Sequence, residues 1–338
     1  MTESDHAPPV IAVIGCGAWG RNHVRTIAAL GALGAVHDVD PSIAKDAAKS
    51  ADVAARGLDE ILADSTIVGI VIATPDATHA SIAARALDAG KHVLVEKPLA
   101  MSVDDGVALE ALAQERARTL IAGHILLYHP GFLQLHKMAL SGALGEVRHI
   151  ASKRLHIARG AARHTLWDLA PHDISMVLAI TGCLPLTVRA QAATPVSSAP
   201  PQQVNLLLTF AAGLSADIAL SSIHPVKLHQ ITVSGTDAFG IFEDSRGWED
   251  KVSLIKPGLS GYATGVATPD VETLPLQPEE PLLREIQAFL EAIGGGPPPP
   301  SSATEALQVV RVLGAAQESL NSGEMVILDR PAHNHLET

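Results

Sequence analysis

At 338 residues, with 47% hydrophobic and 18% charged side chains, the chain is long enough for two packed domains and too apolar to be disordered. A formal charge of −12 leaves no general basic field, so neither nucleic acid nor an anionic membrane is expected as a partner, although a local cluster of arginines could still bind a phosphate. Two cysteines, Cys16 and Cys183, make no disulfide framework or zinc spacing, the opening MTESDHAPP lacks a signal-peptide core, and no apolar run reaches the roughly 18 residues of a membrane span; a metal-free cytoplasmic protein is expected.

Residues 10–14 are a short apolar run that ends at the loop Gly15-Cys16-Gly17-Ala18-Trp19-Gly20, and residues 19–30 then show helical spacing, so the chain opens strand, tight turn, helix. The pattern continues with a strand over 34–39, a helix over 42–48, a short strand at 52–54, a helix over 58–63 and a very apolar strand over 68–73. Helix 78–89, strand 92–96, helix 103–116 and strand 120–123 follow. Strands that alternate with helices and are apolar on both faces predict an α/β doubly wound parallel sheet for residues 1–123.

Past Pro130 the texture changes. Helix 131–141 is followed by strands over 147–157, 187–193, 204–210, 214–222 and 229–234 without a helix between each pair, which predicts a second α/β domain, residues 124–338, with a large open mixed or antiparallel sheet. One helix, 171–181, interrupts it near its start. Residues 246–281 read as loop with short strands, and helices 280–293 and 302–322 close the chain around three glycines and four prolines.

Holding a nucleotide pyrophosphate requires backbone amides at a helix N-terminus and no side chains in the way, which accounts for Gly15, Gly17 and Gly20 with Ala18 and Trp19 between them. Asp38 stands 18 residues after Gly20 at the end of the next strand, where a carboxylate accepts both ribose hydroxyls; Asp40 is the alternative. A carboxylate there repels a 2′-phosphate, so NAD is expected rather than NADP.

Glu96-Lys97-Pro98 lies at the carboxyl end of a predicted parallel strand, where open α/β sheets bind ligands, and it puts an amine where a reacting hydroxyl or carbonyl could meet it. Pro98 keeps Lys97 away from helical geometry and admits either peptide isomer. In Trp167-Asp168-Leu169-Ala170-Pro171-His172-Asp173, Asp168 and His172 are four apart, and Pro171 suits the first turn of the following helix, so both side chains could face one pocket. Oxidising an alcohol needs a base for the hydroxyl proton, and a histidine of pKa about 6.5 suits that task, with Asp168 to orient His172.

Taken together these residues resemble the Gfo/Idh/MocA oxidoreductases, over nearly the whole chain. The resemblance rests on Gly15-x-Gly17-x-x-Gly20-x-x-His23, Ala73-Thr74-Pro75 with His79, the run from Gly90 to Leu99 around Glu96-Lys97-Pro98, Asp168-x-x-x-His172, and Glu280-Pro281-Leu282-x-x-Glu285. It implies an N-terminal Rossmann domain binding NAD, with Thr74, Pro75, His79 and Glu96 by the cofactor. Lys97 would touch both ribose and reacting hydroxyl, His172 would act as base beside Asp168, and the C-terminal sheet would pair subunits into a homodimer or homotetramer. Gly123-His124-x-x-x-Tyr128-x-Pro130 and the stretch around Trp167 look like the branch that works on sugar nucleotides. That implies His124, Tyr128 and Trp167 on the substrate side, and oxidation of carbon 3 of UDP-N-acetylglucosamine ahead of an aminotransferase, as in lipid A assembly. The chain has Leu127 where many members carry arginine and Arg163-His164-Thr165 in place of a glycine-rich run, which leaves Arg154, Arg159 or Arg163 to serve the diphosphate. Two other readings stay open: a dehydrogenase or ketoreductase on another sugar or a polyol such as inositol, and a catalytically silent NAD-binding sensor.

Overall fold

The structure is a computed structural model, which describes residues 8–157, 164–193, 201–256 and 270–328; Arg159 and Arg163 lie outside the described residues. The chain divides into two compact units, residues 1–128 with 280–310, and residues 129–279 with 311–338. The sequence reading expects one crossing at residue 123; instead the chain returns to its first unit after residue 279.

In chain order the first stretch runs β1 (Ile11–Ile14), α1 (Gly20–Ala29), β2 (Leu33–His37), α2 (Pro41–Ala51), β3 (Ala54–Ala55), α3 (Leu58–Ala63), β4 (Gly69–Ile72), α4 (His79–Asp88), β5 (His92–Glu96), α5 (Val103–Glu115) and β6 (Leu120–Gly123). The next is α6 (Pro130–Leu140), β7 (Val147–Ile157), α7 (Thr165–Thr181), β8 (Thr187–Ala192), β9 (Gln203–Thr209), β10 (Ser215–Ser221), β11 (Ile223–Gly235), β12 (Phe239–Glu243), β13 (Val252–Lys256) and β14 (Asp270–Thr273). Helices α8 (Pro281–Ile293) and α9 (Ala303–Ser322) and the short strand β15 (Val326–Ile327) close it.

The first unit holds a six-stranded sheet in the order β3-β2-β1-β4-β5-β6, parallel throughout. Its strands are apolar on both faces because both are covered. Ala12, Ile14, Ile70, Ile72, Val93 and Val95 point to one core, shared with Ala83 and Leu87 of α4, Leu109 of α5 and Val310 of α9. Ile11, Val13, Val71 and Leu94 point to the other, with Val24 and Ile27 of α1, Ala47 of α2 and Leu282, Ile286 and Phe289 of α8. Burying each valine, leucine, isoleucine or phenylalanine among them stabilises by about 1.5–3 kcal/mol, so α8 belongs to this unit through its buried apolar stripe.

The second unit holds a nine-stranded sheet in the order β14-β13-β12-β11-β7-β10-β9-β8-β15, antiparallel except for the parallel pair β7 and β10. It is the open mixed sheet expected from the strand pattern. Helix α7 departs from the expectation: it begins at Thr165, not Pro171, and Pro171 lies inside it. A ring in a helix interior costs about 3 kcal/mol. Leu166, Trp167, Leu169 and Ala170, all buried, offset that cost by carrying the helix N-terminally past the ring. Among the described residues no helix is long and apolar enough to cross a membrane.

Candidate functional site

In the first unit the glycine loop sits between β1 and α1. Gly15 has φ +88°, and a Cβ there would meet the Ala73 carbonyl oxygen at 2.6 Å. A Cβ on Gly20 would meet the Gly15 carbonyl oxygen at 1.9 Å, whereas one on Gly17 would meet nothing within 4 Å. Gly15 and Gly20 are thus required by the turn itself, and Gly17 presents the open backbone that a phosphate can approach. Helix α1 starts without a side-chain cap and without an acidic residue in its first turn, so its N-terminal field is not neutralised locally.

Asp38, just past β2, accepts from the Cys16 backbone N–H at 2.8 Å and the Asp40 N–H at 2.9 Å, tying the strand end to the loop. Asp40 is the N-cap of α2, accepting from the Ser42 N–H at 2.8 Å and its hydroxyl at 2.6 Å. Asp40 is thus committed to that helix, while Asp38 stands at the end of β2 beside the glycine loop. Burial, with Asp38 adding to it, pushes the Cys16 thiol up to about 11, so this cysteine is no nucleophile. The open Gly17 and the acid at the end of β2 fit a dinucleotide.

The loop after β4 and the turn after β5 are joined by His79. Its fully buried ring spans the Pro98 carbonyl at 2.8 Å and the Thr74 carbonyl at 2.9 Å, while the Thr78 hydroxyl donates to Thr74 Oγ1 at 2.7 Å. Pro75 lies between them, and the Lys97-Pro98 peptide is cis. Lys97 itself is half-buried. Its neighbour Glu96 is buried: Oε1 accepts from His23 Nε2 at 2.6 Å and from the Trp19 indole N–H, and Oε2 accepts weakly from the Lys97 N–H at 3.3 Å. A Cβ on Gly123 would come within 2.9 Å of Oε2, so that glycine makes room for the carboxylate. Burial raises the Glu96 pKa, but the hydrogen bond and charge of His23, the Trp19 N–H and the Lys97 charge outweigh it and hold the carboxyl below its ordinary range. Glu96 therefore braces the glycine loop and α1 against the Lys97 turn.

His124 and Tyr128, expected on the substrate side, are interior residues of this unit. The Tyr128 hydroxyl pairs with Ser301 Oγ at 2.8 Å, and burial pushes its pKa up. His124 is 1% exposed, neither ring nitrogen has a hydrogen-bond partner, and burial pushes its pKa down to about 4. Glu285 of α8 is fully buried with both carboxylate oxygens unpartnered. Burial and the nearby Glu96 hold its pKa well above the ordinary value.

In the second unit, Asp168 and His172 lie four apart on one face of α7. Between residues 165 and 178 they alone are half-buried, and every other position is buried. The next residue, Asp173, is 1% exposed and accepts from Arg154 Nε at 2.5 Å and from the Ser152 hydroxyl at 2.6 Å, which anchors α7 on β7. Arg154, expected to serve a diphosphate, is itself buried and committed to this pair. The Trp167 indole N–H donates to Gln317 at 3.1 Å. His23, Asp173 and Glu285 are the residues that the sequence leaves without a role: each falls within or beside a quoted motif, but nothing in linear order shows that His23 and Asp173 meet buried partners or that Glu285 is buried near Glu96. Among the described residues no three His, Cys, Asp or Glu side chains gather to hold a metal ion.

Comparisons with known proteins agree with this fold. The oxidoreductase family described as GFO/IDH/MocA, NAD-binding Rossmann fold, matches residues 10–124, and the GFO/IDH/MocA C-terminal domain matches 132–239. The chain is 30% identical over 296 residues to UDP-N-acetylglucosamine 3-dehydrogenase of Acidithiobacillus ferrooxidans, covering 83% of this chain and 87% of that one. The crystal structure of that enzyme, GnnA, superposes with a TM-score of 0.83 over 92% of this chain and 97% of that chain. Inositol 2-dehydrogenase 1 of Saccharopolyspora erythraea is 26% identical, covering 95% and 98%. GenD2 from gentamicin A biosynthesis, solved with NAD, has a TM-score of 0.81 at 26% identity, covering 98% and 99%.

Proposed function

Since the chain belongs to the Gfo/Idh/MocA oxidoreductase family and carries its NAD-binding domain, we propose that it oxidises a sugar hydroxyl, carbon 3 of a UDP-N-acetylglucosamine-like substrate, to the ketone. NAD held by this domain would supply the hydride acceptor. The residues of the chain supply the rest. Gly15, Gly17, Ala18, Trp19 and Gly20 cradle the pyrophosphate, Asp38 takes the ribose, and Thr74, Pro75 and His79 line the nicotinamide side. Lys97 holds the reacting hydroxyl, and His172, oriented by Asp168, takes its proton as the hydride leaves. Glu96 holds Lys97 in place. The observation that carries this reading is the pair Asp168 and His172, half-buried together on one face of α7, whose other positions from 165 to 178 are buried.

The nucleotide-sugar substrate is supported by the relative that acts on UDP-N-acetylglucosamine. A second reading, oxidation of an inositol, is supported by the inositol 2-dehydrogenase that aligns over nearly the whole chain. The open nine-stranded sheet is the surface through which a homodimer or homotetramer would form, and an aminotransferase would consume the ketone. Reduced-nicotinamide absorbance, followed with UDP-N-acetylglucosamine, UDP-glucose, inositol and glucose and with a ketone trap to pull the equilibrium, tests both readings. A signal confined to the UDP-amino sugar is expected. A signal with inositol alone overturns the first reading in favour of the second, and NAD binding with silence throughout leaves the sensor.

A further inference from the structure

Strand β7 turns Ser152, Arg154 and His156 to one face by its two-residue period, and Ser152 and Arg154 bond to Asp173, so this is the face that α7 covers. On β11, His229 stands opposite Arg154 in the register. The Arg154 guanidinium spends Nε and Nη2 on Asp173, at 2.5 and 3.4 Å, and its Nη1 lies 3.4 Å from His229 Nδ1. His229 Nε2 in turn lies 3.4 Å from His156 Nδ1, with the rings edge to face.

A guanidinium can only donate, so the contact assigns the tautomers in sequence. His229 Nδ1 must accept, which puts its proton on Nε2; that proton goes to His156 Nδ1, which puts the proton of His156 on its own Nε2. Donation therefore runs Arg154 to His229 to His156 and ends in an N–H. Lys227, exposed and two residues before His229, acts by its charge on both rings, and Asp168 acts on His156. The other acids nearby are engaged: Asp173 by Arg154, and Asp244 by Lys251 at 2.8 Å and His129 at 3.3 Å. Burial and the charges of Arg154 and Lys227 push both histidines down, to about 3 for His229, so the rings stay neutral donors.

We propose that His156 and Lys227, with His229 fixing the tautomer, form a subsite on the second unit for the phosphoryl oxygens of the substrate, beside Asp168. A sugar hydroxyl both donates and accepts and finds its acceptor in a carboxylate. A diphosphate diester has only acceptors, and the end of this relay offers only donors. In a chain of net charge −12, such a donor end with an ammonium next to it is selective for an anion. The inference rests on the nucleotide-sugar reading and replaces Arg154 as the phosphate ligand.

Calorimetric titration of the NAD-loaded protein with UDP and with inorganic pyrophosphate tests it, using Lys227→Met, His156→Leu and His156→Gln. Both probes are expected to bind the unaltered protein and to weaken about tenfold in Lys227→Met and in His156→Leu. His156→Gln, whose amide can present an N–H where Nε2 stood, is expected to recover most of the affinity; a merely structural role for the ring would not be rescued in this way. UDP bound equally by all variants overturns the subsite while leaving the nucleotide-sugar reading intact. Pyrophosphate binding lost in the variants, with UDP-N-acetylglucosamine not oxidised by the unaltered protein, sustains the subsite and removes the sugar assignment. Neither probe binding the unaltered protein overturns the subsite.

Discussion

Each candidate reacting residue has a buried acid as its neighbour in the chain: Glu96 beside Lys97 in the first unit, Asp173 beside His172 in the second. The two acids are neutralised differently. Asp173 faces Arg154, whose charge is permanent, and a hydroxyl. Glu96 faces His23 and an indole N–H, with a second, proton-holding acid nearby, and the rings and oxygens around it include several with no partner. The first arrangement rests on a permanent charge, whereas the second rests on hydrogen bonds beside another acid whose pKa burial raises. A buried carboxylate next to a reacting group can thus be braced by a fixed charge or by hydrogen bonds, and this molecule contains both.

The largest expected effect falls on the two residues that the braces hold. Lys97→Ala and His172→Ala should each lower turnover by about 10² to 10⁴ with unchanged thermal midpoint, measured by steady-state rates beside a melting curve; near-normal turnover in both would sever the link between the acids and catalysis. Arg154→Leu should cost about 3–5 kcal/mol of stability, because it leaves Asp173 buried and uncompensated, and the double change with Asp173→Leu should recover most of it. Denaturant titration decides, and a loss under 1 kcal/mol would show that the permanent brace carries little.

Acid should destabilise both units more gently. His124 is held down to about 4 and His229 to about 3, both by burial first, so the folded state keeps them neutral while the unfolded chain takes up a proton below about 6.5. Their stabilising contribution is full above about 6.5 and declines as pH falls from there toward 4 and 3. Urea midpoints at pH 7 and pH 5 should show this decline, and His124→Leu should show less of it. The smallest effect at pH 5 is expected from Glu285→Gln. The folded state holds the Glu285 proton above the unfolded pKa near 4.3, so its contribution falls as pH rises, and the neutral amide should leave stability within about 0.5 kcal/mol at pH 5 and raise it at pH 8. A loss at both values would mean that Glu285 is ionised and paired.

The parallel sheet was legible because its strands are short apolar runs between helical patterns, and β5, β6, β7 and α3 fall where the sequence places them. The start of α7 was not, because Pro171 suits a first turn by local chemistry and only the burial of Leu166, Trp167 and Leu169 carries the helix past it. Strand β11 runs longer than its apolar stretch because its register against β7 slips between Ile223 and Leu228, a pairing irregularity that leaves no compositional trace. The place of the glycine loop between β1 and α1 and the shared helix face of Asp168 and His172 were legible from spacing. That Arg154 is bound to Asp173 was not, since the residues lie 19 apart and only the docking of α7 on β7 joins them.

The return of the chain to its first unit bears on how the protein emerges from the ribosome. Residues 1–128 include every strand of the parallel sheet, but the face that Leu282, Ile286 and Phe289 cover stays bare until α8 has been made. With residues 129–279 in between, that interval is on the order of ten seconds or more at about 5–20 residues per second. During it, Ile11, Val13, Val71 and Leu94 depend on α1 and α2 alone for shelter. The nucleotide-binding unit is therefore begun early in translation yet stays incomplete until α8 has been made, and a nascent chain stalled before Glu280 should be a substrate for chaperones that grip apolar surface.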